Sequence, residues 1–176
     1  RMNQYVIIGN GIAAAGCIEG IRDQDPFGSI TVISRENHPV YCRPLISYYL
    51  EGKTSPENMG YRSEDFYEKM RARVLYGREA VQIDPVRKQV KLDDGSLLPY
   101  SALCLATGSS PLIPPMDGLG QVKKQTTFLT LDDALALEKM IDPTSRVLIV
   151  GAGLIGLKCA EGIVDRGGSV AVCDLA

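Results

Sequence analysis

A chain of 176 residues, 45% hydrophobic and 23% charged, can bury the core of one ordinary domain plus part of another and lacks the composition of a disordered segment. Its net charge of −2 gives a nucleic-acid backbone no electrostatic reason to bind, and no apolar run approaches the ~20 residues of a membrane span. The start has no basic region followed by a cleavable apolar stretch, and Arg1 ahead of Met2 reads as an addition to a natural start. The cysteines Cys17, Cys42, Cys104, Cys159 and Cys173 show no C-x-x-C spacing, and His38 is the single histidine. That set cannot complete a zinc site, and an odd, scattered count reads as a reduced, cytosolic chain. Cys17, Cys104, Cys159 and Cys173 lie in apolar runs and read as small core hydrophobes.

In chain order, the pattern predicts a buried strand over Tyr5–Ile8, a helix over Ile12–Ile21 with small residues in its first turn, and a β-rich strand over Ser29–Ser34. Together they have the size of a parallel βαβ crossover. The stretch "ENHPVYCRPLISYYLEGKTSPEN" reads as loop and short helix, 64–71 as a polar helix, and Val74–Leu75 as a third parallel strand. "AVQIDPVRKQVKLDDGSLLPY" alternates around Asp94-Gly95, the signature of one antiparallel hairpin. "ALCLATG" is a further buried strand, and proline-rich "SSPLIPPMDG" is a linker. Asp132–Ile141 is a helix, and Val147–Val150 opens a second βαβ unit that ends at Val170–Cys173. The βαβ unit is the one internal repeat.

Each unit carries a glycine pattern at its strand-to-helix corner. The first is Gly9, Gly11 and Ala14, a G-x-G-x-x-A. Gly9 permits the tight turn, Gly11 lets a pyrophosphate approach bare backbone, and Ala14 keeps helix and strand close. The helix start then offers N–H groups and the positive dipole end to phosphate. An acid should follow the second strand to bind ribose hydroxyls. Asp25 is nearer the usual spacing, but it precedes the strand, so Glu36 is preferred. The second set is Gly151, Gly153 and Gly156, answered by Asp174 after "SVAVC". A carboxylate there accepts from a ribose 2′-hydroxyl and repels a 2′-phosphate, which favours NADH over NADPH. One glycine pattern alone is weak, because a tight turn needs no ligand. Two, each following a strand, opening a helix and answered by an acid, point to dinucleotide binding.

"VIIGNGIAAAG", "ITVISRENHPVYCRPLISYYLEGK", "LDDGSLLPYSALCLATGSSPLIPP" and "RVLIVGAGLIGLKCAEGI" appear in that order and cover nearly the whole chain. On these motifs it resembles the pyridine nucleotide-disulfide oxidoreductase superfamily. Within it the chain is most similar to the FAD-dependent NAD(P)H reductases of the rubredoxin, ferredoxin and nitrite-reductase type. The resemblance implies an α/β chain: a Rossmann-like FAD-binding domain with an antiparallel hairpin insertion over 1–110, a linker and helix over 111–145, and the first βαβ unit of a Rossmann-like NAD-binding domain over 146–176. It implies that Gly9, Gly11, Ala13 and Ala14 hold the FAD pyrophosphate and Glu36 its ribose. Arg43 and Pro44 would approach the flavin, the Val81 backbone would meet the adenine, and Ala106, Thr107 and Gly108 would pass close to the cofactor. Gly151, Gly153, Gly156 and Asp174 would bind NAD(H). Hydride would pass from NADH to FAD and on to a small molecule or small redox protein; no catalytic side chain is assigned. A homo-oligomer stays open.

Two other readings remain. In the single-cysteine branches (NADH oxidase, peroxidase, coenzyme A-disulfide reductase) Cys42 would be redox-active, but its local motif differs and the peroxidase-type histidine of the first glycine loop is Asn10 here. The two-cysteine form is excluded, since the positions five residues either side of Cys42 are Asn37 and Ser47. Tyr48 also stands where related ferredoxin reductases often carry a lysine near the flavin. The second alternative is a non-catalytic nucleotide-binding module. Complete members of the superfamily are much longer, so the chain is expected to be a fragment, inactive by itself and weak or deficient in FAD binding.

Overall fold

The computed structural model describes residues 2–174, so Arg1 and the last two residues lie outside it. Its elements are β1 (Gln4–Ile8), α1 (Ile12–Gln24), β2 (Ser29–Ser34), α2 (Leu45–Leu50), α3 (Phe66–Lys69), β3 (Ala72–Tyr76), β4 (Ala80–Asp84), β5 (Gln89–Leu92), β6 (Leu97–Pro99), β7 (Ala102–Leu105), α4 (Leu131–Met140), β8 (Arg146–Val150), α5 (Leu154–Asp165) and β9 (Ser169–Cys173). They fall into two compact units: the chain up to Tyr41 together with Gly60–Ser109, and Cys42–Met59 together with the described residues from Ser110 onward.

The first unit is built on a parallel sheet in the order β3-β2-β1-β7. β1 and β2 are the interior strands, and their Ile7 and Val32 are fully buried. Each such side chain contributes ~1.5–3 kcal/mol on burial. α1 lays Ala14, Ala15 and Ile18 on the sheet. Two alanines in succession let the helix backbone come close, which a crossover helix beside a glycine corner requires. The other face of the sheet packs Val6 and Ile33 against Val90 and Leu92.

That second layer differs from the expected single hairpin. β4, β5 and β6 form a three-stranded antiparallel meander with two turns. The second turn is the one the sequence announces: Gly95 takes φ +84° and Asp94 Oδ1 accepts from the Ser96 amide. The first turn is closed by Asp84 Oδ1, which accepts from the amides of Val86 and Arg87, with Lys88 at φ +51°. A non-glycine in the left-handed region is the reason this turn carries no glycine signal. The polar helix expected over 64–71 shortens to α3, because Arg71 adopts φ +47° and ends it before β3.

In the second unit β8 and β9 pair in parallel, and α5 packs Cys159 and Ile163 with Leu50 of α2 and Leu137 of α4. Gly162 makes this possible: a Cβ there would lie 2.8 Å from Leu50 Cγ. Polar links reinforce the join. Arg166 donates to the Leu50 carbonyl at 2.5 Å and to Glu138 at 2.8 Å, and the Tyr49 hydroxyl donates to Glu138. Burial, then the Glu138 carboxylate, pushes the Tyr49 phenol up to about 12. Thus the "YCRPL" segment from Cys42 onward packs with the second βαβ unit, although it lies in sequence within the expected 1–110 domain.

Among the apolar-run cysteines, Cys159 is buried and Cys17 and Cys104 are half-buried against the first core. Burial, then the neighbouring Cys104 thiol, pushes Cys17 up to about 11. Cys173 is exposed, not a core residue. No helix among the described residues is long and apolar enough to cross a membrane.

Candidate cofactor-binding site

The first corner runs from Ile8 through Gly9, Asn10 and Gly11 into α1. Gly9 sits at φ +105°, and its amide donates to the Ile33 carbonyl at 2.9 Å. A Cβ at Gly9 would lie 2.0 Å from the Ala106 carbonyl oxygen. The chain leaving β7 therefore passes directly against the corner, which brings Ala106 and Thr107 to it. Gly108, at φ +68°, follows. Gly11 is different. Its φ of −91° suits any residue, and a Cβ there would meet nothing within 4 Å. Ala13 is exposed on the first turn, and Ala14 is fully buried against the sheet, a packing residue.

The helix starts are decisive in comparison. α4 is capped from within: Asp133 accepts from the amides of Thr130 (3.0 Å) and Leu129 (2.8 Å), and the Thr130 hydroxyl accepts from the Asp133 amide. Burial would raise the Asp133 carboxyl, but these donors outweigh it and hold it below its ordinary value. α1 and α5 have no side-chain cap and no acid in the first turn. Their leading amides stay open to an anion, which the α-helix dipole favours.

At the end of β2, the Ser34 hydroxyl donates to the Glu36 carbonyl at 2.7 Å and the Tyr41 hydroxyl donates to Glu36 Oε2 at 2.6 Å. Glu36 is thus held in one orientation by Tyr41, which no motif in the sequence marks. Asp25 serves elsewhere. It accepts from Asn3, Tyr5 and the amides of Phe27 and Gly28, beside the start of β1 and away from the glycine corner. The Asn3 amide, foremost, holds its carboxyl well below the usual range. Val81 is exposed at a bulge, where the register slips between Ala80 and Gln82. A bulged residue is left out of the ladder. It lines a shallow groove of about 310 Å³ with Ile8, Ile83, Leu105 and Thr107.

In the second unit Gly151 takes φ +114° and Gly153 opens α5 with nothing within 4 Å of its missing Cβ. A Cβ at Gly156 would lie 2.1 Å from the Gly151 carbonyl oxygen, so α5 and the corner touch backbone to backbone. Asp174 reaches back to the corner, where its Oδ2 accepts from the Ala152 amide at 2.6 Å. Arg43 and Pro44 lie in this unit as well. Pro44 is exposed at the start of α2, and Arg43 donates to the Leu129 carbonyl at 3.3 Å.

The residues present suit two dinucleotides: each corner has an open glycine, uncapped leading amides and an acid fixed after the following strand. Comparison with known proteins agrees. Residues 3–176 match the family model described as pyridine nucleotide-disulphide oxidoreductase. The epsilon subunit of an NADH-dependent phenylglyoxylate dehydrogenase from Aromatoleum evansii is 37% identical over 98% of this chain and 41% of its own length. The ferredoxin–NAD(+) reductase component of a 3-phenylpropionate/cinnamic acid dioxygenase from Photorhabdus laumondii is 34% identical over 100% of this chain and 44% of its own. Putidaredoxin reductase, in its covalent complex with putidaredoxin, superposes with a TM-score of 0.86 at 29% identity, covering 97% of this chain and 42% of that one. The chain spans less than half the length of each of these relatives.

Proposed function

This chain belongs to the pyridine nucleotide-disulphide oxidoreductase family, and on that premise we propose that its first corner holds FAD, its second holds NADH, and the protein containing it is an FAD-dependent NAD(P)H oxidoreductase of the rubredoxin, ferredoxin or nitrite-reductase type. The observation that carries this reading is the pair of uncapped corners with open Gly11 and Gly153, in a chain that caps α4 from its own side chains.

The residues divide the work. The amides at the start of α1 donate to the FAD diphosphate, and Gly11 leaves room for it. Glu36, oriented by Tyr41, accepts from the adenosine ribose. The Val81 backbone meets the adenine, and Ala106–Gly108 line the approach. Gly151, Gly153 and Gly156 shape the NADH corner. Asp174 accepts from the ribose hydroxyl and opposes a 2′-phosphate, which selects NADH. Flavin bound there would supply the redox chemistry, as acceptor of a hydride from the nicotinamide and donor of electrons to an acceptor. A small redox protein is the proposed acceptor, supported by relatives named for ferredoxin and by the putidaredoxin complex. The free cysteines support a cytoplasmic setting.

Titration of the chain with FAD, followed by flavin fluorescence, and separately with NADH tests this. The expected result is two independent saturations, that for FAD at the higher concentration because the FAD site is expected to be weak, each reversed by ADP, which shares only the adenosine and diphosphate. A chain that binds neither cofactor, or one in which FAD and NADH displace each other from a single site, contradicts it.

A further inference from the structure

The one side chain inside the first G-x-G turn belongs to Asn10, and it is tied on both ends. Its Oδ1 accepts from the Tyr67 hydroxyl at 2.8 Å, and its Nδ2 donates to the His38 carbonyl at 3.3 Å. The Tyr67 hydroxyl also accepts from the Val40 amide at 2.9 Å. Tyr67 stands on α3, 57 residues from Asn10, and its ring meets Phe66 edge-on at 5.2 Å, with Phe66 buried in the core. Burial raises the Tyr67 phenol above its ordinary value, so at neutral pH it keeps the proton it donates. The link therefore joins three segments: the turn between β1 and α1, the segment after β2, and α3. The Asn10 carboxamide offers both the donor and the acceptor the link uses. An aspartate would lose the donor and a leucine both.

We propose that Asn10 and Tyr67 are a positioning pair for the cofactor corner: their hydrogen bond holds the G-x-G turn in its binding shape before ligand arrives. Neither residue needs to touch the cofactor. The pair acts through the Gly11 backbone, whose open side faces the proposed diphosphate position. A turn ordered in advance does not spend binding energy on its own ordering. This inference rests on the reading of the first corner as the FAD site, and it names residues that reading does not use.

The test compares Tyr67→Phe, Asn10→Leu and the double variant with the parent chain. Each single variant is expected to raise the FAD Kd about fivefold to tenfold, the effect of one net hydrogen bond. Most of the change should fall in the off-rate, and the NADH Kd should stay within twofold. The double variant should lose clearly less than the product of the two single effects, because both changes remove the same Tyr67–Asn10 bond. Hydrogen exchange without any ligand supplies a readout independent of the cofactor: the amides of Gly9 and Ala15, bonded to the Ile33 and Gly11 carbonyls on either side of the turn, should exchange severalfold faster in Tyr67→Phe, while those of β1 keep their protection. Unchanged exchange at Gly9 and Ala15 overturns the proposal, as do fully additive losses of FAD affinity. A lower Tm with unchanged FAD Kd also overturns it, leaving a structural bond only. If the parent binds no FAD, as its expected weak or deficient FAD binding allows, the exchange result alone decides whether the tether exists.

Discussion

Two glycines two residues apart should respond to the same substitution in opposite ways. Gly9→Ala places a Cβ 2.0 Å from the Ala106 carbonyl oxygen at a φ of +105°. Contact distance is above 3 Å, so the chain after β7 must retreat by about 1 Å, straining the 2.8 Å bond from the Ala106 amide to the Ile8 carbonyl. The left-handed backbone costs ~1–2 kcal/mol and a disrupted buried hydrogen bond ~1–3 kcal/mol. About 2–5 kcal/mol in total lowers the Tm by roughly 8–40 °C for a unit of this size. Gly11→Ala meets nothing within 4 Å at an ordinary φ of −91°. The small loss expected at an N-cap and the gain from a stiffer unfolded chain nearly cancel, so its Tm should move by less than about 5 °C. Its methyl group instead occupies the space assigned to the FAD diphosphate. Loss of one hydrogen bond to a charged group, ~1.5–3 kcal/mol, raises the FAD Kd roughly 10- to 100-fold. Thermal melts and flavin-fluorescence titrations read both effects. A Gly11→Ala chain that melts normally and binds FAD normally refutes the assignment of that open corner.

The second corner repeats the contrast: Gly156→Ala, 2.1 Å from the Gly151 oxygen, should lower the Tm by several degrees or more, whereas Gly153→Ala should leave it and raise the NADH Kd at least tenfold. Asp174→Ala should weaken NADH severalfold and narrow its preference over NADPH, measured by titration with each. Thr130→Ala removes the α4 cap and should cost about 1 kcal/mol in denaturant unfolding. Because the folded Asp133 carboxyl is held low, its contribution is present above the unfolded value of about 4 and is lost as pH falls through the folded one. Asp133→Asn should therefore flatten the acid side of the stability profile. Cys42→Ser should leave NADH-dependent dye reduction by the flavin-loaded protein within twofold; a collapse with flavin still bound would support the single-cysteine branch.

What the sequence made legible is local. The corners were readable because Gly9, Gly11 and Ala14 perform separate steric tasks at fixed spacing, and the structure gives each a distinct environment. The Asp94-Gly95 turn was readable for the same reason. The Asp84–Lys88 turn was not, since Lys88 takes a positive φ without a glycine to mark it, and the meander was read as one hairpin. The early end of α3 at Arg71 has the same cause. Other features depend on contacts distant in sequence. Nothing in "YCRPLISYYLEGK" shows that Leu50 packs on Gly162 or that Arg166 binds its carbonyl. Likewise, Asn10 and Tyr67 meet only because α3 returns to the first corner.

Hydrogen exchange of the chain with saturating FAD and, separately, with saturating NADH measures the central claim most directly. FAD should slow exchange of the amides at 9–13 and leave 151–155 unchanged, and NADH should do the reverse. Protection of neither corner, or of the same corner by both cofactors, would contradict the account.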